Sequence, residues 1–148
     1  MNRTSHTAPS PGISGRVFET AHISEAVEEL APDGSRVRPL LSLASGGMAQ
    51  FELESGQVSK AVMHRSVEEI WLVLSGHGEI WRRKDSADSI VALEQGVCVS
   101  IPVSTEFQFR CHGDEPLRIA AVTMPPWPGG DEAVPVAGKW NQGLLDSG

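Results

Sequence analysis

Val62-Met63-His64-Arg65-Ser66-Val67-Glu68-Glu69-Ile70-Trp71-Leu72-Val73-Leu74-Ser75-Gly76 is the stretch whose reading decides the fold. Its apolar run is short, rich in β-branched and aromatic residues, and closed by Ser75-Gly76, which makes it a strand rather than a helix. Every position after Glu69 is apolar as far as Leu74, the pattern of a strand covered on both faces. Side chains alternate along a strand, so Glu69, Trp71 and Val73 share one face and Ile70, Leu72 and Leu74 the other. An unpaired carboxylate on a buried strand is costly. Glu69 therefore needs a cation, a metal, hydrogen-bond donors or a wet cavity.

The same style of sequence continues on both sides. Val37–Ala44, Met48–Leu53, Val58–His64, Glu69–Leu74, Gly78–Arg83, Ile90–Leu93, Val97–Ile101, Phe107–Cys111 and Leu117–Thr123 are short apolar runs separated by Gly-, Ser- and Asp-containing turns. Such regular spacing indicates an all-β sandwich, barrel or jelly roll. Ser24–Leu30 has a Ser N-cap, acids in its first turn and helix formers, which together predict a short N-terminal helix ended by Pro32-Asp33-Gly34. Residues 1–14 read as a loose arm, 15–124 as the barrel, and 125–148 as an extended Pro-rich tail, since three prolines in Met124–Gly130 each remove a backbone donor.

With 148 residues, 40% hydrophobic and 21% charged, the chain suits one globular domain with one core. A net charge of -7 and the lack of a basic stripe argue against nucleic acid. Arg82-Arg83-Lys84 is a solvated hairpin end. Met1 to Gly15 has no apolar segment or cleavage pattern of a secretory signal, and no run is long and apolar enough for a membrane span. Cys98 and Cys111 lie in apolar strand patterns and read as small buried hydrophobes in a reducing compartment. The expected location is cytoplasmic.

The stretch Val62–Gly76 resembles the first motif of the cupin superfamily, H-x-H, three or four residues, E, six residues, G. His64 matches the second histidine, Glu69 the glutamate and Gly76 the glycine. Gly96 to Phe107 echoes the second motif, G, five residues, P-x-G, two residues, H, through Gly96 and Pro102, with Ser104 in place of the glycine. The resemblance is to small single-domain bacterial cupins and implies an all-β double-stranded β-helix, a jelly-roll barrel that is often dimeric. It also implies one divalent metal held by three histidines and a glutamate. Here those positions fall on Val62, His64, Glu69 and Phe107, and valine and phenylalanine cannot coordinate a metal.

The alternation Glu106-Phe107-Gln108-Phe109-Arg110 puts either its polar or its aromatic face inward. With the polar face inward, His64, Glu69 and Glu106 form a triad for zinc, iron, manganese or nickel, and Arg110 becomes an anion anchor. With the phenylalanines inward, that wall is apolar. The favoured reading is a barrel without metal that binds a small organic molecule, lined by His64, Glu69, Trp71, Gln108 and Arg110. If it is an enzyme, His64 and Glu69 exchange protons in isomerase, cyclase or lyase chemistry. The alternatives are a metal-dependent lyase or dioxygenase with a rebuilt His/Glu site, and a non-enzymatic ligand-binding or accessory protein. Trp71 and Trp81 are expected to fill the barrel or a homodimer interface. Tyrosine is absent, which excludes acid/base chemistry by a phenol.

Overall fold

The computed structural model describes residues 17–144. The expected arm, 1–14, and the end of the expected tail, 145–148, lie outside the described residues. The strands, in chain order, are β1 (Glu29–Leu30), β2 (Arg36–Leu43), β3 (Gly46–Leu53), β4 (Gln57–Val58), β5 (Val62–His64), β6 (Glu68–Ser75) and β7 (His77–Lys84). There follow β8 (Ala87–Glu94), β9 (Cys98–Ile101), β10 (Glu106–His112), β11 (Leu117–Met124), β12 (Ala133–Pro135) and β13 (Gly143–Leu144). One antiparallel sheet runs β1-β2-β3-β11-β6-β9. In the other, β10 carries β5 and β4 along one edge and β7 then β8 along the other, while β12 and β13 add to β5 and β4.

The two sheets pack face to face around Leu53, Trp71, Val73, Ile80, Leu93, Ile101, Phe107, Phe109, Leu117 and Ile119, all essentially excluded from solvent. Strict alternation builds this core: β6 buries Glu69, Trp71 and Val73, and β11 buries Leu117, Ile119, Ala121 and Thr123. The hairpin between β6 and β7 turns at Gly76, whose φ of +87° favours glycine. A Cβ there would also lie 2.3 Å from the Pro116 carbonyl oxygen, so the glycine of the motif is required twice over.

Several expectations are corrected. The N-terminal helix is only a single 3-10 turn, Ile23–Glu25, followed by β1. Val27 and Leu30 are exposed, so the segment has no apolar face to bury, and so short a helix is not stable alone. Val58–His64 is two short strands, because the chain leaves the sheet at 59–61. The outer face of β6 is open within one chain: Ile70, Leu72 and Leu74 are half-exposed. Cys98, on the neighbouring β9, is exposed, whereas Cys111 is buried; both are free. Trp81 does not fill the barrel. It alternates with inward Ile80, faces Gln108 across β10, and donates Nε1–H to Asp88 Oδ1 at 2.9 Å.

The face of β10 is decided by Phe107 and Phe109, which are buried inward beside Trp71. The polar residues point to the other side of the sheet. Glu106 pairs with Arg83 at 2.6 Å, and Arg110 pairs with Glu79 at 2.6 Å while its guanidinium stacks on Trp140. Gln108 clamps the C-terminal segment: Nε2 donates to the carbonyls of Ser59 and Trp140, and Oε1 accepts from the amides of Lys139 and Trp140. A buried amide with all these bonds made is worth far more than a surface one. Replacing Gln108 with Leu should cost about 2–4 kcal/mol in urea unfolding and speed proteolysis after Trp140; an unchanged midpoint would contradict the clamp.

Candidate functional site

A cavity of about 540 Å³ lies between the sheets at one end of the barrel. It falls within the size of ordinary small-molecule pockets. Its inner wall is Val62, His64, Glu69, Trp71, Phe107 and Thr123. Val37, Leu41, Ala49 and Phe51 continue the wall on β2 and β3, and the segments 29–33 and 126–130 cross its rim. Leu30, Leu41, Met48 and Trp127 line it and are also exposed, so the cavity reaches the surface.

His64 ends β5 and Glu69 sits near the start of β6. The turn between them is held by Glu132, whose carboxylate accepts from Ser66 N–H, Ser66 O–H and Val67 N–H at 2.6–2.8 Å. Burial works against the ionised form of Glu132, and these hydrogen bonds outweigh it, keeping its carboxyl below the usual range. The His64 ring meets Phe107 and Trp127 edge-on at 5.2 and 4.9 Å between centroids. Its Nδ1 is buried without a hydrogen-bond partner. Glu69 Oε1 accepts from Trp71 Nε1 at 2.6 Å, and Oε2 faces His64 Nδ1 at 3.6 Å, beyond hydrogen-bond reach.

Burial dominates the protonation of both. It pushes Glu69 up to about 7, helped by the charge of Asp33 and opposed by the Trp71 hydrogen bond. It pushes His64 down to about 4, opposed by the negative charge of Glu132. Between those values the resting pair is a neutral imidazole beside a protonated carboxyl, a base and an acid on one wall.

Of the residues singled out from sequence, the structure brings His64, Glu69 and Trp71 together on the cavity and sends Glu106, Gln108 and Arg110 to the opposite face of their sheet. Sequence reading missed Asp33, Thr123, Trp127 and Glu132. Asp33 looked like a turn residue in Pro-Asp-Gly; it is buried on the cavity, pushed up by burial against the hydrogen bonds from Ser35. Only the rarity of a tryptophan among prolines hinted at Trp127.

A sequence profile described as the cupin domain matches residues 49–123, half of the chain. The chain belongs to the cupin domain family. Solved structures share its fold. A predicted oxalate decarboxylase from Thermotoga maritima is 19% identical, with a TM-score of 0.60 over 72% of this cupin and 99% of that chain. KdgF from Halomonas sp. is 13% identical, with a TM-score of 0.61 over 72% of this cupin and 94% of that chain. Oxalate decarboxylase OxdC of Bacillus subtilis, in a variant form, is 12% identical, with a TM-score of 0.68 over 82% of this cupin but 33% of its own chain. At these identities the likeness shows the fold alone. No curated protein sequence matches significantly.

Cupins often hold a divalent metal, and the donor set here does not fit one. Val62 and Phe107 stand buried on the cavity wall at two of the four family positions and offer no donor atom. Glu106, the candidate replacement, is bound to Arg83 on the far side of the sheet. Among the described residues no group of three or more His, Cys, Asp and Glu side chains is placed to hold an ion.

The two shifts have opposite signs in stability. Glu69 binds its proton more tightly in the fold, so it costs stability as pH rises from about 4.5 to 7; His64 binds its proton less tightly, so stability is gained as pH rises from about 4 to 6.5. In the wild type these slopes oppose. In Glu69→Gln the His64 slope should emerge, and in His64→Gln the Glu69 slope, each up to about 1.4 kcal/mol per pH unit. Denaturation midpoints across pH 4–8 check this; parallel profiles for both variants would contradict it.

Proposed function

We propose that this cupin binds a small organic molecule in the barrel cavity without a metal, and that His64 and Glu69 exchange protons with it. The observation that carries the reading is the exchange of two metal-ligand positions for Val62 and Phe107 while the His64–Glu69 pair stays buried on an open cavity. Nδ1 of His64 has no protein partner, and the 3.6 Å gap to Glu69 Oε2 leaves both atoms for a ligand. Neutral His64 takes a proton from one atom of the substrate and protonated Glu69 gives one to another, with Trp71 Nε1 steadying the carboxylate that forms. That balance suits an isomerase, cyclase or lyase, and turnover falls as Glu69 ionises above pH about 7. Trp127 and the rim segments shield the exchange from bulk water.

The test is a thermal-shift screen of small organic molecules. Ligands should stabilise the wild type and lose that effect in Ala49→Trp, whose indole fills the cavity. Turnover abolished in His64→Gln and Glu69→Gln while saturating ligand still stabilises both variants supports proton exchange. Binding with no turnover of any ligand makes this a ligand-binding or accessory protein instead.

The proposal includes a homodimer. Ile70, Leu72 and Leu74 form a half-exposed apolar row on β6, continued across the sheet by Val122 and Ala120 of β11, and a second copy packing there would cover it. No helix among the described residues is long and apolar enough to cross a membrane; a cytoplasmic location is part of the same proposal. Leu72→Glu should convert a dimer to a monomer in sedimentation velocity, and a wild type that sediments as a monomer at 100 μM would remove this element.

A further inference from the structure

We propose that the cavity's ligand is an organic cation, a protonated amine on an apolar body. This rests on the reading of the cavity as the binding site, and it names the class of molecule that site takes. The charge of the lining is one-sided. Asp33 and Glu69 are buried on it, Glu29 lies at its rim, and no lysine or arginine is among its described lining residues. The arginines of β7 and β10 that might have served are engaged outside the barrel, Arg83 with Glu106 and Arg110 with Glu79.

Both buried carboxyls also keep an oxygen in reserve. The hydrogen bonds that Asp33 receives from Ser35 N–H and Oγ–H both land on Oδ1, and the one that Glu69 receives from Trp71 lands on Oε1. Asp33 Oδ2 and Glu69 Oε2 are left over. A further acceptor comes from His64, 6% exposed, whose unpartnered Nδ1 can accept a bond from an ammonium N–H. Four aromatic rings, Phe51, Trp71, Phe107 and Trp127, lie on the same cavity among aliphatic side chains. Aromatic faces attract cations, most strongly where water is excluded.

Competing ligand classes fit less well. A carboxylate, such as the substrate named for the oxalate decarboxylases of the same fold, would be held against two acidic groups with no lysine or arginine on the lining to offset it; Lys60, whose charge reaches Asp33, lies outside that lining. A hydrocarbon would occupy the aromatic half and leave both acids unpartnered. An organic cation meets the aromatic rings with its body and the free oxygens of Asp33 and Glu69 with its N–H donors.

Three probes of one shape separate these classes: phenethylamine, 2-phenylethanol and 3-phenylpropanoate, titrated into the full chain at pH 7.5 and followed by the indole and imidazole NMR signals of Trp71, Trp127 and His64. Phenethylamine should bind about tenfold more tightly than 2-phenylethanol, and 3-phenylpropanoate more weakly than both. Asp33→Asn and Glu69→Gln keep the oxygens that accept from Ser35 and Trp71, so both variants should fold. Each should weaken phenethylamine about tenfold while leaving 2-phenylethanol within twofold. If 2-phenylethanol or 3-phenylpropanoate binds as well as the amine, the cation is overturned while the cavity stands as a binding site. If none of the three moves those signals at 10 mM, the cation and the binding site fall together.

Discussion

Glu69 lies in the inner wall of the barrel with one oxygen on Trp71 Nε1 and the other 3.6 Å from an imidazole, and no lysine or arginine among the described residues lines the cavity with it. The rest of the site depends on that burial. The backbone alternation of β6 cannot turn this buried carboxyl outward without also exposing Trp71 and Val73. The carboxyl is left to hold its proton near neutral pH, and the neighbouring imidazole is left neutral by the same apolar shell. A metal would reverse both, but the positions that would have held it are occupied by Val62 and Phe107, which supply part of that shell.

Two buried polar residues off the cavity wall, Glu132 and Gln108, hold the segments around the site. Glu132 binds the turn between His64 and Glu69, and the strand that follows it pairs with β5 beside His64. Gln108, the residue next to the metal position at Phe107, holds the C-terminal segment from the opposite face of the same strand. One strand, β10, thus presents apolar rings to the cavity and a polar clamp to the chain's own end. Its alternation ties the two roles together.

Eight of the nine expected strands were legible because alternation and turn residues are local signals, and the cupin motif agreed with them; the ninth, Val58–His64, is two short strands. The face of β10 was not legible: Glu-Phe-Gln-Phe-Arg alternates equally well in either sense, and partners distant in sequence decide it, Trp71 for the two phenylalanines and the tail, Arg83 and Glu79 for the polar residues. The N-terminal helix failed for the opposite reason, since Ser24–Leu30 has local helix signals but Val27 and Leu30 stay largely exposed and no packing supports a helix there. His64, Glu69 and Trp71 could be placed because they lie within one motif. Asp33, Trp127 and Glu132 reach the cavity or its support from segments distant in sequence, and no local pattern distinguishes a turn Asp from one buried on a pocket.

The account stands or falls on whether this cupin works without a metal. The direct measurement is elemental analysis by mass spectrometry of the untagged protein, as purified and after incubation with zinc, iron, manganese and nickel, followed by desalting. The account predicts far less than one equivalent of any metal per chain under every condition. About one equivalent of a single metal, lost in His64→Ala, would contradict it.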